Sequence, residues 1–410
     1  PRGEAAAKDY NEIRDGEGAL IINSHPVTSP IVIDYSQPSF RTDWMLERRP
    51  DGAAWMTRDA AYERSNNNFI RLRLSWCNLI QDEGLQYRFV SYDQIPKGEL
   101  LKDGYQVLIL PDSTSLSQRE ANAIREFVSD GGIAIASGMP GTYDEHSKKL
   151  SQSSLADLFG GSNSQQENVH AFGKGKAILL NTDIESYLVN RLEGKEGPVH
   201  REIGELLRAS GVHPQFVAED AAGHSVVGID KHVFANGGVR IVTLMSNPQA
   251  HVSELGPPDF RNNDRFSKPV QVRLLLPREM YVYDVRGRKA LGERKELSLT
   301  VDPYVPTILV ASDAPLPEMQ VSVPAQAQRG TVANISVHAK PSQADVSIFH
   351  VDVLDPQGNQ VLYYSGNLIV KHGAGVKAIP FAANDAPGKW TVTVRDVMSG
   401  QTVTQNINLE

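Results

Sequence analysis

Between Ile31 and about residue 212, short apolar runs alternate with stretches whose apolar residues recur every three or four positions. The runs at 31–36, 86–91, 106–111, 133–137 and 176–181 read as strands. Most are nearly continuous in apolar residues, as strands covered on both faces should be. A helix is expected from Ala53 to Asp82, with Trp55, Tyr62, Phe69, Leu72, Trp76, Leu79 and Ile80 on its buried side and Gly84 ending it. A second should start at Ser117, where Glu120 completes a capping box ahead of Ala121, Ile124, Phe127 and Val128. Strands and helices in this alternation predict a doubly wound parallel sheet. Gln37 to Trp44, which contains Pro38, is expected to be the loop after the first strand.

Past Pro214 the period shortens to two. Strands are expected at 224–229, 231–235, 239–246, 270–276, 280–284, 296–301 and 306–311, with hairpin signals at Asn236-Gly237-Gly238 and Arg286-Gly287. This reads as an antiparallel β domain, and the polar stretch His251 to Lys268 as a surface loop within it. Ala314 to Pro317 is a stiff linker. Turns at Asp355–Gly358, Lys371–Gly373, Ala386–Gly388 and Met398–Gly400 then space short strands as a β-sandwich does, with Trp390 as its expected core aromatic. The fold class is therefore α/β plus all-β. The expected parts are an N-terminal extension over 1–30, the α/β domain over 31–212, the antiparallel domain over 213–313 and the sandwich over 314–410. Glu4 to Arg14 reads as the end of a helix whose packing partners lie upstream.

Composition narrows the function classes. A chain of 410 residues with 40% hydrophobic and 22% charged residues has the make-up of a folded globular protein. Its net charge of −8, with no basic stretch, argues against nucleic acid as a partner. The single cysteine, Cys77, excludes an intrachain disulfide framework and leaves the compartment open, with a secreted or envelope location favoured slightly over the cytoplasm. No window approaches the roughly 20 apolar residues that cross a bilayer, so no membrane span is expected.

The segments Ile31 to Trp44, Val107 to Asp112 and Glu126 to Gly138 resemble the trimerisation domain of family 42 β-galactosidases, which is built like a class I glutamine amidotransferase and so has a flavodoxin-like sheet. Tyr281-Val-Tyr-Asp-Val285 and Val305-Pro-Thr-Ile-Leu-Val310 resemble the small β domain that follows it, and the last 95 or so residues resemble immunoglobulin-like modules. The resemblance implies that glycosidic chemistry belongs to a barrel outside this chain. The chain itself would be a non-catalytic assembly region that needs no cofactor and forms a homo-oligomer, a trimer by this resemblance, with carbohydrate as a further partner.

The amidotransferase likeness can be tested at one turn. Where that family places its Cys nucleophile, this chain reads Ile135-Ala-Ser-Gly-Met-Pro-Gly141, so Ser137 or Gly138 occupies the elbow. A Ser137 nucleophile would need a histidine base, for which His146, His170 and His200 qualify by order alone. Cys77, in mid-helix beside Trp76, reads better as a small buried hydrophobe. Asp34, Asp43 and Glu47 fall near the end of the first strand, where α/β sheets place ligands, and with Gln37, Arg41 and Trp44 they could line a sugar subsite or a ligand and interface loop. The plainer reading, that Pro38 and Trp44 fix a domain-junction loop, is favoured. His200, His213, His224, His232 and His251 show no metal-ligand spacing, and Phe172-Gly-Lys-Gly-Lys176 lacks the remainder of a phosphate loop and reads as a basic hairpin before a strand. Asn334-Ile-Ser336 is a sequon in an apparent strand and carries no weight. Two other classes stay open: a structural envelope or filament protein, and a Ser-dependent amidotransferase-like hydrolase.

Overall fold

The computed structural model describes residues 7, 10–48, 68–160, 168–247, 266, 268–339, 343–371 and 373–410. The chain separates into two compact units, one formed by 28–231 with 246–272, the other by 1–27, 232–245 and 273–410.

The first unit holds the parallel sheet. Its elements are β1 (Ile31–Tyr35), α1 (Gln37–Arg48), α2 (Asn68–Asp82), β2 (Arg88–Ser91), β3 (Val107–Pro111), α3 (Gln118–Ser129), β4 (Ile133–Ser137), β5 (Asn168–Phe172), β6 (Gly175–Leu180), α4 (Tyr187–Glu193) and α5 (Gly197–Ala209). The strand order is β2-β1-β3-β4-β6-β5, parallel except for the terminal β5–β6 hairpin. Alternate residues of these strands serve two different cores. Ile31, Ile33, Ile109, Ile135 and Ile178 pack with Trp76, Leu79 and Ile80 of α2 and with Ile203 and Leu207 of α5. Val32, Leu108, Leu110, Ala134 and Ala136 pack with Ala121, Ile124, Phe127 and Val128 of α3. Because both faces are covered, both phases of each strand must be apolar, which is why the strands read as continuous runs. Each fully buried Ile or Leu side chain contributes about 1.5–3 kcal/mol of burial free energy.

Local chemistry sets the helix ends. Ser117 accepts the Glu120 backbone N–H at 3.2 Å, and the Glu120 carboxylate accepts the Ser117 N–H at 2.8 Å, so the expected capping box is formed. Gly84, at φ 68°, follows the last turn of α2 in the left-handed conformation that glycine adopts without penalty. The upstream part of that expected helix, with Trp55 and Tyr62, lies outside the described residues.

Two expectations for this unit are corrected. Residues 37–44 are not a loop but the start of α1. Ser36 caps it by accepting the Ser39 N–H at 3.1 Å, and Pro38 sits in the first turn, where a missing N–H breaks no helical bond. The edge strand β5 was not among the expected strands, because its exposed residues form no continuous apolar run, although a basic hairpin at Phe172 to Lys176 was expected and is formed. Its partner β6 starts at Gly175, where a Cβ would lie 2.1 Å from the Gly132 carbonyl oxygen.

The other unit contains an antiparallel sheet and a sandwich. The sheet includes β7 (Ile229–Asn236), β8 (Val239–Ser246), β9 (Val270–Asp284), β10 (Lys289–Val301) and β11 (Thr307–Ser312), in the order β7-β8-β11-β9-β10. The two strands expected at 270–276 and 280–284 are one continuous strand, β9. The sandwich includes β12 (Val332–His338), β13 (Val346–Leu354), β14 (Gly366–Lys371), β15 (Ala374–Pro380), β16 (Gly388–Asp396) and β17 (Thr402–Leu409), with short strands at Gln320–Ser322 and Gln326–Ala327 at its edges. Sheets β12–β15 and β17-β16-β13-β14 enclose one core, with Ile335, Val337 and Ile379 from the first meeting Phe349, Val351, Val392 and Ile407 from the second. Trp390 lies in that core as expected, 2% exposed.

The described part of the N-terminal segment packs within this unit. Leu20, fully buried, packs with Val239, Ile241, Tyr283, Val310 and Ile348. The Arg14 carbonyl accepts from Asn367 Nδ2 at 2.8 Å, and the Asp15 carbonyl accepts from Arg395 Nη2 at 2.8 Å.

Candidate functional site at the carboxyl ends of β1 and β3

Strand β1 pairs with β2 on one side and β3 on the other, so successive crossovers leave it in opposite directions. Such a reversal opens a crevice at the carboxyl ends of the two central strands, where open α/β sheets bind ligands. Here the strand ends gather polar groups, most of them buried. Asp34 comes from β1; Ser36, Ser39, Thr42, Asp43 and Glu47 from the start and body of α1; Asn68 from the first turn of α2; and Asp112 to Ser115 from the turn after β3.

The hydroxyls satisfy one another. Ser36 Oγ donates to Ser39 Oγ at 2.9 Å, Ser39 Oγ donates to the Ser115 carbonyl at 3.1 Å, and Thr42 Oγ1 shares protons with Ser115 Oγ at 2.6 Å and Ser147 Oγ at 2.7 Å. This network pins α1 to the turn after β3. The carboxyls are less completely held. Asp34, fully buried, accepts Ser113 Oγ–H at 2.6 Å through Oδ2, while Oδ1 has no hydrogen-bond partner among the described residues. Asp43 accepts Thr114 Oγ1–H at 3.2 Å through Oδ1 and is also held by the Phe69 backbone N–H. Asp112 accepts Asn68 Nδ2–H at 2.6 Å, and Glu47 accepts the Asn68 backbone N–H at 2.6 Å. Arg71 bonds Glu185 at 2.6 Å and lies 3.9 Å from Glu47.

Burial sets the protonation of this cluster. It pushes Asp34 up to about 7, with the Ser113 hydrogen bond opposing and the charge of Glu120 adding. Asp43 is raised by burial and then by the neighbouring Asp112, and Asp112 is raised by burial against the stabilising bond from Asn68. A carboxylic acid kept neutral near pH 7 can donate a hydrogen bond as well as accept one, so the cluster can hold a polyhydroxylated ligand or exchange a proton with it. Backbone strain falls at the same place. Asp112 has φ 54°, unusual for a residue with a Cβ, and Gly138 opposite has φ 91°, where a Cβ would stand 2.9 Å from Asp112 Oδ1.

The raised value of Asp34 has a stability consequence. Its folded value exceeds the ordinary carboxyl value of 3.8, so the folded state binds the extra proton. The stabilisation is complete below the unfolded value and is lost as pH rises through about 7. Asp34→Asn, which keeps the shape and cannot ionise, should match the parent near pH 4 and exceed it by about 1–3 kcal/mol at pH 8. Urea midpoints measured across that range check this, and a difference independent of pH would reject it.

The residues singled out from sequence are divided by the helix. Asp43 and Glu47 do meet, joined by Asp112 and Asn68, which the sequence reading passed over, whereas Asp34 bonds Ser113 in the adjoining turn and feels the charge of Glu120. Gln37, Arg41 and Trp44 follow one another at helical spacing on a separate stripe of α1, with Arg41 exposed and Gln37 and Trp44 half-buried. The signal that could have found Asp112 was present. A polar run, Asp-Ser-Thr-Ser, directly follows the apolar run of β3.

Ser137 ends β4, 6% exposed, and its Oγ accepts the Trp76 indole N–H at 2.8 Å. The three candidate bases lie elsewhere. His146 is in the turn closed by Asp144, His170 is on exposed strand β5, and His200 faces Glu83 from α5. Cys77 is buried in α2, and burial pushes its thiol up, as befits a packing residue rather than a nucleophile.

No helix among the described residues is long and apolar enough to cross a membrane. No protein-family profile matches the chain, and no curated protein matches it. Solved structures similar to it include Gan42B, a GH42 β-galactosidase, at 13% identity and TM-score 0.45, over 70% of this chain and 40% of that one. A catalytic mutant of Gan42B from G. stearothermophilus gives 13% identity and TM-score 0.46 over the same shares. An apo exo-carrageenase GH42 from Bacteroides ovatus gives 12% identity and TM-score 0.39, over 70% of this chain and 29% of that one. The chain thus spans well under half the length of each of these glycoside hydrolase structures.

Proposed function

We propose that this chain is a non-catalytic assembly and accessory region of a glycoside-hydrolase-like protein. The α/β part self-associates, as a trimer, and the crevice between β1 and β3 contacts carbohydrate through Asp43, Asp112 and Asn68. The strand order β2-β1-β3-β4-β6 supports a flavodoxin-like, amidotransferase-like reading of residues 31–212, and the two sheets around one core support an immunoglobulin-like reading of 314–410. The capture of Ser137 Oγ by Trp76 supports a scaffold over a Ser-dependent hydrolase.

The observation that carries the reading is the edge of the parallel sheet. Strand β2 is terminal, and among the described residues no strand pairs with its outer side. It presents Phe89, 45% exposed, with Tyr35 and Tyr92 each 38% exposed beside it. Tyr35 and Tyr87 pack edge-on against Phe89 at 6.0 and 5.4 Å, and the Arg73 guanidinium lies 4.8 Å over the Tyr35 ring. An edge strand bearing clustered aromatic residues is a surface that proteins normally blunt with charge unless it is used. Sedimentation equilibrium of the full chain at high micromolar concentration should give a trimer. Phe89→Lys should shift it to monomer while leaving the far-ultraviolet circular dichroism of the folded chain unchanged, as for a surface substitution. A parent chain that is strictly monomeric would overturn the proposal.

A further inference from the structure

A second concave site lies in the parallel-sheet unit, apart from the crevice between β1 and β3. It is a cleft of about 740 Å³ between one face of α5, the segment 212–227 and the turn that ends α2. At its floor sits Glu83, 6% exposed, which accepts from Arg208 Nη1 at 3.0 Å and Ser225 Oγ at 3.4 Å. His200 Nε2 stands 3.1 Å from the other carboxylate oxygen, close enough for charge attraction although not aligned for a hydrogen bond. Burial raises Glu83, and His200 and Arg208 oppose the shift. Room for this carboxylate is made by Gly204, where a Cβ would lie 2.3 Å from Glu83 Oε1. A glycine inside a helix costs about 1 kcal/mol relative to alanine, so the helix gives up stability where the carboxylate enters.

The charges around the cleft are unevenly satisfied. Glu83 is matched by Arg208 and His200. Asp220 accepts the backbone N–H groups of Ala222 and His224 at 2.8 and 3.0 Å and lies 3.6 Å from the His224 ring. Glu196 is buried beneath the first turn of α5. Arg201 lies one residue after His200 on the cleft face and is exposed, with its guanidinium turned back toward Gly197. With the three carboxylates of the lining buried or already engaged, the cleft leaves the exposed Arg201 guanidinium as its one cationic fork without an acidic partner among the described residues. Val226, Val227 and Pro214 supply an apolar wall beside it.

We propose that this cleft binds a small organic oxyanion, a carboxylate or phosphate ester on an apolar body, with the anion on Arg201 and the body against the valine wall. Paired donors in a guanidinium fork suit such an oxyanion. This site is independent of the assembly reading and uses none of its residues.

Calorimetric titration of the full chain with benzoate and with phenyl phosphate tests the proposal, with benzyl alcohol as the neutral control of the same body. At least one anion should bind at least about tenfold more tightly than benzyl alcohol, and the better of the two identifies the headgroup. Arg201→Ala should weaken that binding by about tenfold or more, with Arg201→Lys intermediate, because a lysine keeps the charge and loses the fork. Arg201 is exposed, so the urea midpoint should be unchanged in both variants, which separates lost binding from lost folding. Absence of anion binding at about 10 mM, equal affinity for benzyl alcohol, or unchanged affinity in Arg201→Ala would each overturn the proposal.

Discussion

Arg191→Ala should destabilise the parallel-sheet unit by about 3–5 kcal/mol, seen as a large fall in its urea midpoint. Arg191 and Asp82 are each 1% exposed in their side chains and meet through two bonds, Nε to Oδ2 at 2.6 Å and Nη2 to Oδ1 at 3.0 Å. The remaining capacity of the carboxylate is filled by Tyr187 Oη–H at 2.8 Å and the Gly228 backbone N–H at 2.8 Å. Arg191 in turn donates to the Asn247 carbonyl at 3.2 Å and stacks 4.7 Å over the Phe266 ring. Burying both charges is expensive, and their attraction repays little more than that desolvation, so the intact pair adds little net stability. Removing one partner is different, because Asp82 would remain buried, charged and short of its two strongest donors. Arg191→Lys should recover only part of the loss, since a lysine cannot span both carboxylate oxygens. A loss below about 1 kcal/mol in Arg191→Ala would mean that water reaches Asp82, contrary to its burial.

Trp390→Ala should have an effect of similar size in the sandwich, about 3–5 kcal/mol. The indole stacks edge-on with Phe381 at 5.1 Å and with Tyr364 at 6.0 Å, and its N–H donates to the Ala386 carbonyl at 2.9 Å. Its loss leaves a cavity between two sheets and an acceptor without its donor. Trp390→Phe keeps most of the volume and should lose roughly half as much. Near-ultraviolet circular dichroism along a urea titration reads the sandwich through this cluster. Retention of the parent midpoint in Trp390→Ala would show that the sheets close over the gap.

Legibility of the fold from sequence followed burial. The central strands were readable because each is flanked on both faces, which forces apolar residues at every position, and α3 was readable because its capping box is a local device. Strand β5 was hidden because an exposed edge strand needs no apolar pattern. Helix α1 was misread because Pro38 has the same residue-level signature in a loop as in a first helical turn, and only the Ser36 cap distinguishes them.

The candidate site was legible only in part. Asp34, Asp43 and Glu47 were visible because the end of a parallel strand is a predictable place for ligands. Their company was not. Asn68 and Asp112 are separated in sequence by 44 positions and joined by a 2.6 Å bond, and nothing local to either residue encodes the other. The same holds for Arg191 and Asp82, 109 positions apart, whose partnership turns two ordinary charged residues into the most consequential ion pair described in the unit.

By itself the sequence determined the buried strands of the parallel sheet, the capping box of α3, and the absence of a cysteine at the elbow after β4. The tertiary structure decided which polar groups are buried together, that Ser137 serves Trp76, that burial raises the Asp34 carboxyl, and that Gly204 leaves room for the Glu83 carboxylate. The division has a physical origin. Periodicity and caps are short-range properties written in neighbouring residues, whereas protonation, charge pairing and concavity depend on solvent exclusion by segments far apart in the chain.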